Sequence, residues 1–211
     1  MDQRRWTVLL IGGSGGTGKT TLAAAIGRRF EVPWGQVDDF RLALQRITTE
    51  AERPELHFFV GGDAVWELPP ETLRDRLIEV GRVVSRALEI VVSHRLATSQ
   101  PLVLEGDGIL PSLAARRAFV GRQAHGEVRS VFLCEDDEKI ILTRMRGRGR
   151  GFQERAREVQ QAQARLNLLY GRWLREEARR RGLPVMAARP NETLSKRVVA
   201  AITYRIHHPT A

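Results

Sequence analysis

Eight consecutive residues, Gly13-Ser14-Gly15-Gly16-Thr17-Gly18-Lys19-Thr20, satisfy the spacing G-x-x-x-x-G-K-[ST] in full. Such a run can cradle phosphate. Glycines let backbone N–H groups curl inward around phosphate oxygens, and a helix opening behind the loop adds the positive end of its dipole. Lys19 would then place a point charge between β- and γ-phosphates, and the Thr20 hydroxyl can ligate Mg²⁺. Thr21 extends the same edge of the loop. A glycine-rich turn without a ligand is the plain alternative.

Carboxylates are the next requirement, because magnesium prefers hard oxygen ligands and phosphoryl transfer needs a proton acceptor. Glu105 closes the apolar run Leu102, Val103, Leu104, and is the candidate magnesium or water-positioning carboxylate. Asp107 is an alternative for that role. Asp38 and Asp39 follow a second apolar run. Asp38 is the favoured base or acceptor anchor, while either acid could instead cap a helix beginning near Phe40. Arg41, one turn on, could hold an anionic acceptor or lie on a solvated helix face. Arg144, Arg146, Arg148 and Arg150 alternate with Met145, Gly147, Gly149 and Gly151. Glycine gives such a stretch mobility and arginine gives it charge, as suits a lid over residues 140–153 that closes on a triphosphate, with Arg148 and Arg144 as its anion contacts. An exposed basic loop or an RNA-binding Arg-Gly segment are the other readings.

These groups must be held in place, and the patterning says by what. Residues 6–11 read as a strand, broken by the glycine loop, after which Leu22, Ala25, Ile26 and Phe30 recur at helical spacing. A second short strand is expected over 32–37. Residues 48–70 read as irregular, with Phe58, Phe59 and Trp66 as either pocket lining or core. Leu73, Leu77, Val80, Val84, Leu88 and Val91 mark a long amphipathic helix from residue 71 to about 98. Further strands are expected over 101–105, 128–134 and 183–187. A long polar helix is expected over 153–181 and a last one over 196–206, capped by Asn191 or Thr193. Strands alternating with helices imply a parallel sheet covered on both faces.

Composition bounds the rest. The chain has 211 residues, 34 Lys plus Arg against 25 Asp plus Glu, a net charge of +9 and 42% hydrophobic residues. An ordinary apolar share with interspersed charges argues against disorder. No apolar run approaches the roughly 20 residues of a membrane helix, so no membrane partner is expected. The run after Arg4 and Arg5 is too short for a signal-peptide core. Cys134 is the sole cysteine, which excludes an intrachain disulfide and agrees with a cytoplasmic setting. Only Lys19, Lys139 and Lys196 are lysines, so the positive charge is nearly all arginine, much of it on acid-interleaved helices that read as solvated faces.

The residues resemble the small P-loop kinases, the group of adenylate, shikimate and gluconate kinases, and in particular archaeal-type 2-phosphoglycerate kinase and its bacterial relatives. The resemblance rests on Ile11-Gly12-Gly13 leading into the phosphate loop, on Asp38-Asp39-Phe40-Arg41 where that group has D-x-[hydrophobic]-R, and on Leu104-Glu105-Gly106 followed by Leu110-Pro111. It spans about residues 7–201. Asp107 stands where the 2-phosphoglycerate kinase pattern has histidine, and residues 50–70 match no part of it. What the resemblance implies is a three-layer α/β sandwich with a parallel five-stranded sheet and an inserted lid, in one domain; residues 48–70, largely outside the resemblance, are expected to form an acceptor-side insertion. The resemblance implies binding of Mg²⁺ and ATP, transfer of the γ-phosphoryl to a small-molecule acceptor, Asp38 beside that acceptor, and Arg189-Pro190-Asn191 near the adenine. Two other functions suit the same residues: a 5′-hydroxyl polynucleotide kinase using the basic surface, and a P-loop ATPase acting as a nucleotide-dependent switch.

Overall fold

The structure, a computed structural model, describes residues 4–149 and 151–203. The elements run β1 (Val8–Gly13), α1 (Lys19–Phe30), β2 (Trp34–Gln36), α2 (Val37–Ile47), α3 (Pro54–His57), α4 (Pro70–Thr98), β3 (Leu102–Gly106) and α5 (Pro111–Ala114). They continue through a small hairpin, β4 (Ala118–Phe119) with β5 (Arg122–Gln123), to β6 (Val128–Cys134), α6 (Glu138–Gly147), α7 (Arg157–Arg180), β7 (Val185–Ala187) and α8 (Asn191–Thr203). Five strands form one parallel sheet in the order β2-β3-β1-β6-β7. This is the α/β class with helices on both faces.

The period-2 alternation of strand side chains sorts the apolar residues onto those faces. Val8 and Leu10 of β1 with Leu102 and Leu104 of β3 bury against Val84, Leu88 and Val92 of α4 and Tyr170 and Leu174 of α7. Leu9, Ile11 and Val103 point the other way, onto Leu22 and Ile26 of α1 and Leu194, Val198 and Ile202 of α8. Strands covered on both faces read as unbroken apolar runs, which is why β1 and β3 were legible. By the same alternation Glu105 shares the face of Val103, toward α1. The register pairs Ile11 and Gln36 with Glu105 and Gly12 with Gly106. The carboxyl ends of β1, β2 and β3 therefore meet at one edge, where ligands of open parallel sheets bind.

Several expected elements differ. The second strand is confined to Trp34–Gln36, and Asp38 and Asp39 lie in the first turn of α2, whose N-cap Gln36 makes no side-chain cap bond. Neither aspartate caps that helix. Residues 48–70 hold α3 and two 3₁₀ turns, Phe58–Val60 and Asp63–Glu67, with Phe58, Phe59 and Trp66 in ring contact at centroid distances of 5.0 and 5.6 Å. The basic stretch is not one loop: Arg144 and Arg146 belong to the last turn of α6 and Arg148 is its C-cap. Arg150 lies outside the described residues. The polar helix starts at Arg157, and α8 starts at Asn191 and ends at Thr203, with 204–206 outside the described residues. Among the described residues no helix is long and apolar enough to cross a membrane.

Gly12 shows how closely the strand ends are packed. A Cβ there would sit 2.4 Å from the buried Phe132 ring. Gly12→Ala is expected to lower stability by about 1–3 kcal/mol, the usual cost of overpacking; an unchanged urea midpoint would show that Phe132 moves freely.

Candidate active site

The phosphate loop is a turn held from behind. Gly16 and Gly18 take φ of 81° and 84°, a region L side chains avoid. Gly18 is the N-cap of α1. The Ser14 carbonyl accepts from Thr17 Oγ1 at 2.8 Å and from Lys19 Nζ at 2.8 Å. Asn167 of α7 accepts from the Gly15 N–H through Oδ1 and donates through Nδ2 to the Gln163 carbonyl at 2.9 Å. A Cβ on Gly15 would meet that Asn167 Oδ1 at 2.6 Å, and one on Gly171 would meet Ser14 Oγ at 2.8 Å. The loop thus lies directly on α7.

In front of the loop, Lys19, Thr20, Gln36, Asp38, Glu105, Asp107 and Arg148 line one small cleft. Thr20 Oγ1 donates to Glu105 Oε1 at 2.7 Å, a link made because Glu105 and α1 share a face of the sheet. Glu105 is 3% exposed and Lys19 4%. Burial lowers the Lys19 pKa, the Asp107, Glu105 and Asp38 carboxylates oppose that shift, and Arg148 reinforces it. Asp38 also pairs with Arg41 Nη2 at 3.5 Å. The Asp107 backbone is pinned by Tyr170, whose hydroxyl donates to its carbonyl at 2.6 Å. Tyr170 is fully buried, so desolvation and the Asp107 charge hold its phenol well above the ordinary pKa.

The cleft adjoins a cavity of about 620 Å³ lined by Gly16, Gly18, Thr20, Thr21, Leu22, Ala25, Arg144, Arg148, Asn191, Leu194 and Ser195. Arg144 donates to the Gly16 carbonyl and to Asn191 Oδ1, each at 3.0 Å, and lies 3.7 Å from Glu135. Glu135 is 5% exposed. It takes a two-pronged contact from Arg189 at 2.8 and 2.9 Å and two backbone N–H bonds from Asp136 and Asp137. Those bonds raise the Arg189 pKa further.

The expected residues thus separate by place. Gly15, Gly16, Gly18, Lys19, Thr20, Thr21, Asp38, Glu105, Asp107, Arg144 and Arg148 line the two concavities. Gly13, Ser14 and Thr17 build the loop from behind, with Ser14 and Thr17 wholly buried. Pro190 lines neither concavity; its neighbour Asn191 lines the larger one, and the Pro190 carbonyl accepts from Arg197 at 3.0 Å. Arg146 turns away to Gln160 at 2.8 Å. Gln36, Glu135, Asn167 and Tyr170 went unassigned in the sequence, and Arg189, expected with its neighbours near the adenine, instead pairs with Glu135. Asn167 sits at core spacing between Ala164 and Leu168 on one side and Gly171 on the other, and a polar residue on an apolar stripe is the signal that could have found it. Among the described residues no group of three or more His, Cys, Asp or Glu is placed to hold a metal ion. Thr20 and Glu105 do offer two hard oxygens at the loop, which suits an ion that takes one or two protein ligands and fills its sphere from phosphate and water.

No family model matches the chain, and no curated protein matches it in sequence. Solved structures do match in fold. Shikimate kinase from Acinetobacter baumannii, in complex with shikimate, is 16% identical with a TM-score of 0.51, the match covering 94% of each chain. Shikimate kinase from Bacteroides thetaiotaomicron is 19% identical with a TM-score of 0.50, covering 94% of this chain and 99% of that one. What is shared is the parallel five-stranded sheet flanked by helices.

Asn167→Ala is expected to cost about 1–3 kcal/mol, since it leaves a Gly15 N–H without its acceptor. Hydrogen exchange at the Gly15 amide should speed up in that variant. Unchanged protection there would mean that the loop needs no support from α7.

Proposed function

We propose that the protein is an ATP-dependent kinase that transfers the γ-phosphoryl group of Mg–ATP to a small-molecule acceptor. The observation that supports this most is the convergence of Lys19, Thr20, Glu105, Asp38, Asp107 and Arg148 on one cleft beside a cavity large enough for a nucleoside. In this reading the base lies among Leu22, Ala25 and Leu194, between Arg144 and Asn191, and the phosphates follow Gly15–Thr20 into the cleft. Residues 140–153 act as lid and residues 48–70 as the acceptor side of one domain. Cytoplasm, with its nucleotide supply and reducing poise, suits the free Cys134.

Charge explains why magnesium belongs in the reading. Asp38, Glu105 and Asp107 outnumber Lys19 and Arg148 in the cleft, so a polyphosphate would add negative charge to an already negative place. Thr20, with Glu105 accepting its hydroxyl proton, would hold the ion. Magnesium, when bound, neutralises charge on the β- and γ-phosphate oxygens. The protein does the rest by positioning. The acceptor oxygen bonds to the γ-phosphorus as the bond from that phosphorus to the β–γ bridging oxygen breaks, and the acceptor proton passes to Asp38. Lys19 and Arg148 stabilise charge on the phosphoryl oxygens. In this reading Arg41, 3.5 Å from Asp38, holds an anionic group of the acceptor. A hydroxylated or phosphorylated metabolite, 2-phosphoglycerate among them, meets these requirements. Two solved structures of similar fold are shikimate kinases, and shikimate, a hydroxylated carboxylate, is an acceptor of this kind.

An acceptor screen that measures phosphate release and phosphoryl transfer separately tests this reading. ATP consumption that appears only with a hydroxylated or phosphorylated metabolite is the expected result. Loss of ATP indifferent to every metabolite would favour a nucleotide switch, and transfer to an oligonucleotide 5′-hydroxyl would favour a polynucleotide kinase. Lys19→Ala should reduce turnover by about 10²-fold or more while the protein stays folded, and an active variant would remove the loop from the mechanism. Asp38→Asn should slow transfer by about 10²–10⁴-fold, the usual worth of a general base, with nucleotide affinity retained.

A further inference from the structure

A second concavity, of about 750 Å³, opens between α3 with its following 3₁₀ turn and the outer side of α4, and its lining includes Arg53, Glu55, Phe58, Arg76, Arg82 and Arg86. None of its lining residues lines the cleft or the nucleotide-sized cavity. Helix geometry explains the separation. Val84 of α4 faces inward, where a Cβ on Gly108 would meet it at 3.2 Å. At about 100° per residue, positions 82 and 86 fall on the opposite side of the helix from 84, away from the loop that carries Asp107.

The lining is charged in an unbalanced way. Arg76 is occupied: it pairs with Glu79 at 2.9 Å and lies over the Phe58 ring at 5.2 Å. Arg82 and Arg86, one turn apart, make no ion pair or hydrogen bond among the described residues, and Arg53 lines the same concavity from the α3 side. The lining carboxylates are Glu50, Glu55 and Glu79, the last taken up by Arg76, against four arginines. Glu55 Oε2 is shielded from solvent yet has no hydrogen-bond partner. A buried polar atom left without a partner calls for a ligand or water to satisfy it. Three guanidinium groups toward one space fit a dianion, because each offers forked donors to phosphate oxygens. The unpartnered Glu55 oxygen fits a hydroxyl donor on the same molecule.

We propose that this concavity is a second ligand site, distinct from the phosphate loop, that takes a small hydroxylated phosphomonoester: phosphate on Arg53, Arg82 and Arg86, hydroxyl on Glu55. Its α3 wall is tied to α2, since Gln45 of α2 donates to the Leu56 carbonyl of α3 and Thr48 lies 3.4 Å from His57. A ligand joining α3 to α4 would therefore stiffen the helix that carries Asp38.

Calorimetric titration of the full chain with glycerol 3-phosphate tests the site without reference to catalysis. Saturable binding is expected in the natural protein and in Lys19→Met, in which the phosphate loop has lost its charge. Arg82→Ser with Arg86→Ser should weaken it by roughly tenfold or more, as loss of two charge-assisted contacts implies. Both arginines are exposed, so this variant keeps its fold. Glu55→Gln should retain binding of inorganic phosphate while reducing the preference for glycerol 3-phosphate over it. The proposal is overturned by no saturable binding in the natural protein, by equal affinity in the double arginine variant, or by binding lost in Lys19→Met alone.

Discussion

A backbone turn that aims its N–H groups into a concavity cannot hold itself, because the groups that would close it into regular structure are the ones turned toward the ligand. Everything else around the loop follows from this constraint. Support comes from the rear: the Ser14 carbonyl gathers Thr17 and Lys19, Asn167 takes the Gly15 N–H, and Gly171 lets α7 approach until it touches Ser14. Ile141 of α6 closes in on Gly16 in the same way, 3.3 Å from where a Cβ would be. Two helices far along the chain are thus part of the loop, and they are rigid because each is buried against the sheet or its neighbour.

The same crowding sets the electrostatics. Lys19 is removed from water by the packing that shapes the loop, and burial alone would favour its neutral form. The carboxylates of Glu105, Asp107 and Asp38 counter that. Glu105 and Asp107 come from the end of β3 and Asp38 from the first turn of α2 just past β2, and the parallel register of β2 with β3 is what brings them level. The cation and its carboxylates are interdependent: either side alone would be an uncompensated charge in a desolvated place. Glu135 repeats the design one strand over, at the end of β6, where it holds Arg189 and draws in Arg144. A single edge of the sheet thereby organises both the cleft and the cavity beside it.

How much of this was legible follows from how local each signal is. The loop, β1, β3, β6 and α4 could be read because a motif, an unbroken apolar run or a 3.6-residue period lies within one segment. Thr20 and Glu105 were each legible by type, but their hydrogen bond joins residues 85 apart in sequence, and only the shared face of the sheet brings them together. Asn167 and Tyr170 were not legible for the same reason: each lies on a helix whose pattern reads as ordinary amphipathic spacing, and each acts on a loop more than 60 residues away. Arg144 and Arg148 were expected as anion contacts within a regular Arg-alternating stretch that also holds Arg146. Helical rotation separates them, sending Arg144 toward Gly16 and Arg146 toward Gln160.

Residues 48–70 were the hardest to read and are the part least governed by the sheet. Their elements are a single helical turn and two 3₁₀ turns, too short to carry a periodic signal. Tertiary contacts shape them: Leu56 is buried against the core that α4 helps build, Phe59 packs on the same core and on Trp66, and Asp63 and Trp66 meet Arg155 just before α7. Arg155 lies immediately after the lid segment. The side of the molecule proposed for the acceptor therefore touches the short link between the proposed lid and α7. An exposed ion pair of 3.9 Å and a cation over a ring at 6.0 Å are each weak. Weak contacts would suit the parting that the proposed lid requires, whereas the phosphate loop is fixed by buried hydrogen bonds and close packing.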